Sequence, residues 1–176
     1  MQQYLALTII APQDSGILKQ IAEACAQYQC QIMESRLSAA GENQIMMMYI
    51  SGNWSAIAKL ETPLAALGNQ PNVHFKMMRT EMQSHHNSLV PYIVHITSVS
   101  SPHTLNQLLS FFNANKIKVS ELAVTQYFAN KTQASMQTIV ITVLLSTETH
   151  LADLRENFIL FCDEYNLDAI FEPDRQ

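Results

Sequence analysis

The sequence predicts an α+β chain made of two tandem βαββαβ units, each a four-stranded antiparallel sheet with two helices on one face. Three observations carry this expectation. Apolar runs of strand length alternate with segments whose apolar residues recur at helical spacing. The order strand, helix, strand, strand, helix, strand occurs twice in 176 residues. A polar stretch without periodicity separates the two passes.

In the first pass, Tyr4-Leu5-Ala6-Leu7-Thr8-Ile9-Ile10 has the apolar density and length of a buried strand, about residues 4–11. Pro12-Gln13-Asp14-Ser15-Gly16 follows as a loop with helix-cap chemistry. Ile17, Leu18, Ile21, Cys25 and Tyr28 then form one stripe of a helix. Each large member contributes ~1.5–3 kcal/mol when buried, so this face must dock on something. Two strands, about 31–39 and 43–51, flank Ala40-Gly41-Glu42-Asn43, where glycine supplies the freedom of a hairpin turn. A second helix starts near Trp54 and carries Ile57, Leu60, Leu64 and Leu67; Pro63 inside it predicts a kink or an early end. Val73–Thr80 closes the unit as a strand.

The second pass repeats the order. Tyr92-Ile93-Val94-His95-Ile96-Thr97 is a strand, and Ser100-Ser101-Pro102 reads as a helix start with serine as cap and proline in the first turn. Leu105, Leu108, Leu109 and Phe112 form the helical stripe. Strands at about 117–128 and 136–146 are joined through Asn130-Lys131-Thr132-Gln133. A helix with Leu151, Leu154, Phe158, Phe161 and Tyr165 leads to a last strand at about 168–172. Ile32-Met33-Glu34 answers Val119-Ser120-Glu121, and Tyr4 answers Tyr92. The expected domains are therefore 1–81 and 90–176, with residues 82–89 as linker. Right-handed crossovers turn this order into the ferredoxin-like arrangement.

One face of each sheet is left without helices. Met46, Met48 and Ile50 alternate with Met47 and Tyr49, and Ile139, Ile141 and Val143 alternate with Val140, Thr142 and Leu144. Strands with one wet face alternate apolar with polar. Here both parities are apolar, which predicts that the second face or a sheet edge is also covered, by the other half or another subunit.

Composition narrows the function. Ten Lys plus Arg stand against fifteen Asp plus Glu, for a net charge of −5. Salt-sensitive DNA binding needs roughly 6–10 phosphate contacts, which would commit most of these scattered cations to one face. Direct nucleic-acid binding is therefore not expected. No apolar run approaches the ~20 residues of a membrane helix. Met1-Gln2-Gln3-Tyr4 lacks the basic start of a signal peptide. Three cysteines, Cys25, Cys30 and Cys162, form no CxxC and suit a reducing cytoplasm.

At this point the residues resemble a known group. Asp14-Ser15-Gly16-Ile17 after a first strand resembles the loop signature of ACT domains. Together with Glu34-Ser35-Arg36-Leu37, Gly41-Glu42 and Ser51-Gly52-Asn53-Trp54-Ser55-Ala56-Ile57, it is similar to the glycine cleavage system transcriptional repressor family. The resemblance covers nearly the whole chain and is densest over residues 10–60. It implies a regulator that is not an enzyme, that restrains a separate DNA-binding transcriptional activator by protein contact, and that answers to a small amino acid of the glycine or serine class. The sheet faces left without helices add the expectation of a homodimer formed through sheet or helix faces. ACT domains take ligands where domains meet, through the first strand–helix loop and the start of the second strand. Carried over, the ligand residues are Asp14, Ser15, Gly16 and Ile17 with Gln31 and Ile32. The second half departs from the pattern, with Ser100-Ser101-Pro102-His103 where a glycine-bearing loop would sit.

Each candidate also has a plainer reading. The Asp14–Gly16 loop is either an ordinary cap worth ~1 kcal/mol or a site where helix N–H groups take a carboxylate and Asp14 an ammonium. A helix terminus supplies only ~0.3–1 kcal/mol at an exposed site, so a useful pocket needs walls from a second domain. His85-His86 lack a preorganised third ligand, so no metal is expected. Cys25 and Cys30 read as buried packing, and Met46-Met47-Met48 as core or an adaptable interface. Arg36 with Glu34 and Glu42 reads as an ion pair. No phosphate-cradling glycine loop and no nucleophile–His–Asp spacing accompany it, so neither a catalytic residue nor a cofactor is expected. A regulatory module of the same fold serving a metabolic enzyme is the alternative, and a small hydrolase comes third.

Overall fold

Leu5, Leu7, Ile9 and Ala11 alternate with Tyr4, Ala6, Thr8 and Ile10 along β1 (Gln2–Pro12), and only the first set is buried. This parity sets the first sheet, and the same rule sets the second. The computed structural model describes residues 2–81 and 89–174, in two compact units, Met1–Ser84 and His85–Gln176.

The first unit continues with α1 (Ile17–Gln27), β2 (Gln31–Ala40), β3 (Asn43–Asn53), α2 (Trp54–Leu67) and β4 (His74–Thr80). Its strands lie in the order β2-β3-β1-β4, all neighbours antiparallel. Ile17, Ile21 and Cys25 of α1 and Ile57, Leu60 and Leu64 of α2 join the buried strand residues in one cluster. The second unit has β5 (Leu89–Val99), α3 (Thr104–Ala114), β6 (Lys118–Phe128), β7 (Ser135–Ser146), α4 (Leu151–Tyr165) and β8 (Asp168–Pro173). Its order, β6-β7-β5-β8, repeats the first, and a separate cluster around Phe112 and Phe158 fills its core. The fold is thus the expected pair of βαββαβ units with four-stranded antiparallel sheets.

The helix-free parity of the first sheet is exposed: Ile45, Met47 and Met78 are 41 %, 52 % and 65 % accessible. The outer strands β2 and β6 are exposed along nearly their whole length. Each has a register shift at the same place, between Ile32 and Glu34 and between Val119 and Glu121. The sequence match of these tripeptides therefore marks a β-bulge kept in both units.

Four local expectations need correction. Helix α2 does not end at Pro63 but runs four residues further to Leu67. Proline removes one N–H, and the buried Leu60 and Leu64 on either side hold the segment to the core. Neither Ser100 nor Ser101 caps α3. The N-cap is His103, without a side-chain cap, and Pro102 lies before the helix. Tyr4 and Tyr92 are not counterparts. Tyr4 stacks on Tyr49 on the helix-free face, with ring centroids 5.4 Å apart, whereas Tyr92 packs on Phe171 in the core. Leu89, read as linker, opens β5. The rest of that segment, including His85-His86, lies outside the described residues.

One cap is well formed. The Asn53 side chain accepts a hydrogen bond from the Ala56 N–H at 2.8 Å. Asn53→Ala is expected to lower stability by about 1 kcal/mol, read as a lower midpoint in urea with an unchanged slope.

Candidate functional site

The β1–α1 loop of the first unit is held by glutamine amides. Gln44, 9 % exposed at the start of β3, donates to the Pro12 carbonyl at 3.3 Å and to Ser15 Oγ at 3.5 Å. Gln20 donates to the Ser15 carbonyl at 3.4 Å and accepts from Gln70 at 3.0 Å. Gln13 bonds the Gly41 carbonyl through its side chain and the Glu42 carbonyl through its backbone. Gly16 is the N-cap of α1 in the left-handed region, φ 66°, which only glycine adopts without strain. Gly16 itself has no side chain with which to cap the helix. Ser15 Oγ makes only a 3.5 Å contact with the Ile17 N–H. Asp14 is exposed and Ile17 fully buried, so Ile17 offers a ligand its backbone alone.

Gln31 and Ile32 are not near this loop. Gln31 pairs with Ser51 and thereby sits level with Tyr4, whereas the loop leaves the opposite end of β1 at Pro12. Eight strand positions separate the two levels, roughly 26 Å at 3.3 Å per residue. Gln31 instead lines a polar cleft of about 350 Å³ with Gln2, Gln29, Ser51 and Asn53. Within one unit the structure therefore brings Asp14, Ser15, Gly16 and Ile17 together, and Gln31 with Ile32 elsewhere.

The second unit presents a different arrangement at the β5–α3 loop. Counted back from the helix N-caps, Ser98 replaces Ala11, His103 replaces Gly16, Thr104 replaces Ile17 and Gln107 replaces Gln20. Strand register makes Gln137 the counterpart of Gln44, since Ala11 faces Gln44 and Ser98 faces Gln137. Ser98, Thr104 and Gln137 are 7 %, 4 % and 3 % exposed. The Gln137 amide donates to Ser98 Oγ at 3.0 Å, and the Thr104 hydroxyl has no hydrogen-bond partner among the described residues. A cleft of about 350 Å³ opens here, lined by Ser98, Ser101, His103, Thr104 and Gln107, with Tyr165 and Asn166 from the end of α4. Its polar groups carry little formal charge, and the first N–H groups of an eleven-residue helix border it. The combination suits a small zwitterion: N–H groups for a carboxylate, hydroxyl and amide oxygens for an ammonium.

Sequence reasoning passed over Gln44 and Gln137. The available signal was a glutamine on the buried parity of a strand, in Gln44-Ile45-Met46 and again in Gln137-Thr138-Ile139. Buried polar groups must be satisfied, so such a residue marks a polar contact beneath the surface.

Other candidates resolve as packing. Burial pushes the Cys25 thiol up to about 11, with the neighbouring Cys30 adding to it, and pushes Cys162 up to about 11, with Asp163 adding. Such thiols are poor nucleophiles at neutral pH. Arg36 donates to Glu34 at 2.8 Å on an exposed strand. Among the described residues no group of three or more His, Cys, Asp or Glu is placed to hold a metal, and no helix is long and apolar enough to cross a membrane.

Comparison with known proteins agrees with this fold. The ACT-domain family pattern matches residues 3–78. The chain is 27 % identical over 165 residues to the glycine cleavage system transcriptional repressor of Escherichia coli (strain K12), covering 94 % of this chain and 87 % of that protein. A crystal structure provisionally assigned as a glycine cleavage system transcriptional repressor superposes with a TM-score of 0.70 at 23 % identity, covering 100 % and 99 % of the two chains. A protein from Galdieria sulphuraria superposes with a TM-score of 0.75 at 13 % identity, covering 99 % of each. At these identities the two structures establish the fold alone.

Proposed function

From a chain whose residues 3–78 match the ACT-domain family, and which is similar along 94 % of its length to a glycine cleavage system transcriptional repressor, we propose an amino-acid-responsive regulator. It acts in the cytoplasm by binding a DNA-binding transcriptional activator of glycine cleavage genes, and touches no DNA itself. The observation that carries the ligand part is the β5–α3 cleft, which buried Ser98 and Thr104 line at a helix N-terminus, with Gln137 bonded to Ser98 behind it. The acidic balance, net −5, favours contact with a protein over contact with phosphate.

Asp14–Ile17 and Gln31–Ile32 remain the ligand residues proposed for the first unit. Roughly 26 Å apart within it, they serve one ligand only across an interface between copies of the chain. Ligand binding and homodimer formation are then coupled, and each strengthens the other by the same factor.

Calorimetric titration with glycine and with serine tests this, together with sedimentation of the chain with and without ligand. Saturable binding that increases the dimer fraction is expected, and Asp14→Ala weakens that coupling. Unchanged binding and unchanged dimerisation in Asp14→Ala remove the first-unit loop from the site. A gel shift of the activator–DNA complex, altered by this chain only when glycine is present, tests the regulatory step. A shift of bare DNA by this chain alone overturns it.

A further inference from the structure

The two units are internal controls for one another, and they differ under the second helix of each. In the first unit, Ile9 of β1 faces Phe75 of β4; in the second, Ile96 of β5 faces Ala169 of β8. Ile9 and Ile96 each stand seven positions before the N-cap of the following helix, so Phe75 and Ala169 are counterparts. Phe75 packs against the core, and the end of α2 presses so closely on it that a Cβ on Gly68 would lie 3.1 Å from its own. Arg79 then closes that flank with hydrogen bonds of 2.7 and 2.9 Å to Glu61.

The second unit has neither the ring nor the latch. Ala169 leaves a cleft of about 490 Å³ between α4 and β8, within the usual ~300–1,000 Å³ range of small-molecule sites. Ile159 follows the buried Phe158 as Glu61 follows Leu60, and is 60 % exposed. The arginine is on the helix: Arg155 lines the cleft, its guanidinium carbon 5.9 Å from the centroid of the Phe171 ring. Its Nη2 makes only a 3.5 Å contact with the Phe171 carbonyl, and its solvent-shielded Nε has no hydrogen-bond partner among the described residues. No described carboxylate forms an ion pair with it. A partly buried guanidinium with donors to spare, beside aromatic rings, is a receptor for an anion. Asp163, eight residues and about 12 Å further along the helix, and Asp168 at the start of β8 line the same cleft. They oppose a second anionic group at that end.

We propose that the α4–β8 cleft binds a small organic monocarboxylate with an apolar body. Arg155 takes the carboxylate, and Phe158, Ile159 and Phe171 cover the body. Glycine and serine are too small to fill this space, so the cleft is a second site and the inference stands independently of the amino-acid reading.

The test is calorimetric titration of the full chain with 4-phenylbutyrate and with its uncharged analogue 4-phenylbutyramide. Wild type is expected to bind the acid saturably and the amide at least tenfold more weakly. Arg155→Gln lowers acid affinity at least tenfold, and Ala169→Phe, which installs the residue of the first unit, abolishes binding while far-UV circular dichroism stays unchanged. No saturable binding by wild type overturns the proposal. Equal affinity for acid and amide, or undiminished binding by Arg155→Gln, does the same. Arg155 is half-buried and lies outside the hydrophobic core cluster, so that variant reports even where Ala169→Phe disturbs folding.

Discussion

Phe158→Ala is expected to destabilise the second unit by about 3–5 kcal/mol while leaving the first unit untouched. The side chain is 3 % exposed and sits at the centre of a ring cluster. Phe111, Phe112, Phe161 and Phe171 have centroids 5.4, 5.9, 6.2 and 5.6 Å from it. Truncation removes its transfer free energy and leaves a hole that four rigid rings cannot close. Domain stabilities are ~5–15 kcal/mol in total, so the loss is a large fraction of what holds this unit together. The single tryptophan, Trp54, lies in the first unit and reports on it selectively. In a urea titration the tryptophan fluorescence transition should stay in place, while circular dichroism becomes biphasic with an earlier first step. Coincident, equally shifted transitions would mean that the two cores fold as one.

Thr104→Val is expected to reduce amino-acid affinity by roughly ten- to a hundredfold without lowering the melting temperature. The variant keeps the shape and β-branching of the residue and removes only the hydroxyl. That hydroxyl has no hydrogen-bond partner among the described residues and belongs to a residue lining the β5–α3 cleft. A hydrogen bond to a charged ligand group is worth ~1.5–3 kcal/mol, which sets the size of the loss. Burying a methyl in place of an unpartnered hydroxyl favours the folded state, so the melting temperature should hold or rise. Wild-type affinity in Thr104→Val, measured in the same glycine titration, would move the ligand out of this cleft.

Much of the fold is legible in the sequence because one-face burial imposes a period of two on strands and of 3.6 on helices. Leu5, Leu7 and Ile9 reveal β1, and Leu151, Leu154 and Phe158 reveal α4, without reference to any neighbour. Helix ends are less legible because they depend on contacts outside the helix. Pro63 is tolerated by virtue of the leucines flanking it, and α3 begins at Thr104 instead of at the serines. The candidate site is legible only in part. Gly16 draws attention to the first loop, and the structure does use its positive φ. The loop of the second unit, with Pro102 and His103, looks like a poorer site on paper. Its buried hydroxyls become visible only once Ser98 is set opposite Gln137. The α4–β8 cleft has no sequence signature at all, since it arises from the volume missing at Ala169, and a missing volume is apparent only beside Phe75.

The paired irregularities at Ile32/Glu34 and Val119/Glu121 have a consequence for the chain in crowded solution. An outermost ribbon with evenly spaced free amides recruits further ribbons in endless register, which is how fibrils grow. One supernumerary residue in each ribbon breaks that spacing and coils it away from a flat neighbour. The molecule can thus leave two long borders open to a chosen companion and still resist indefinite polymerisation.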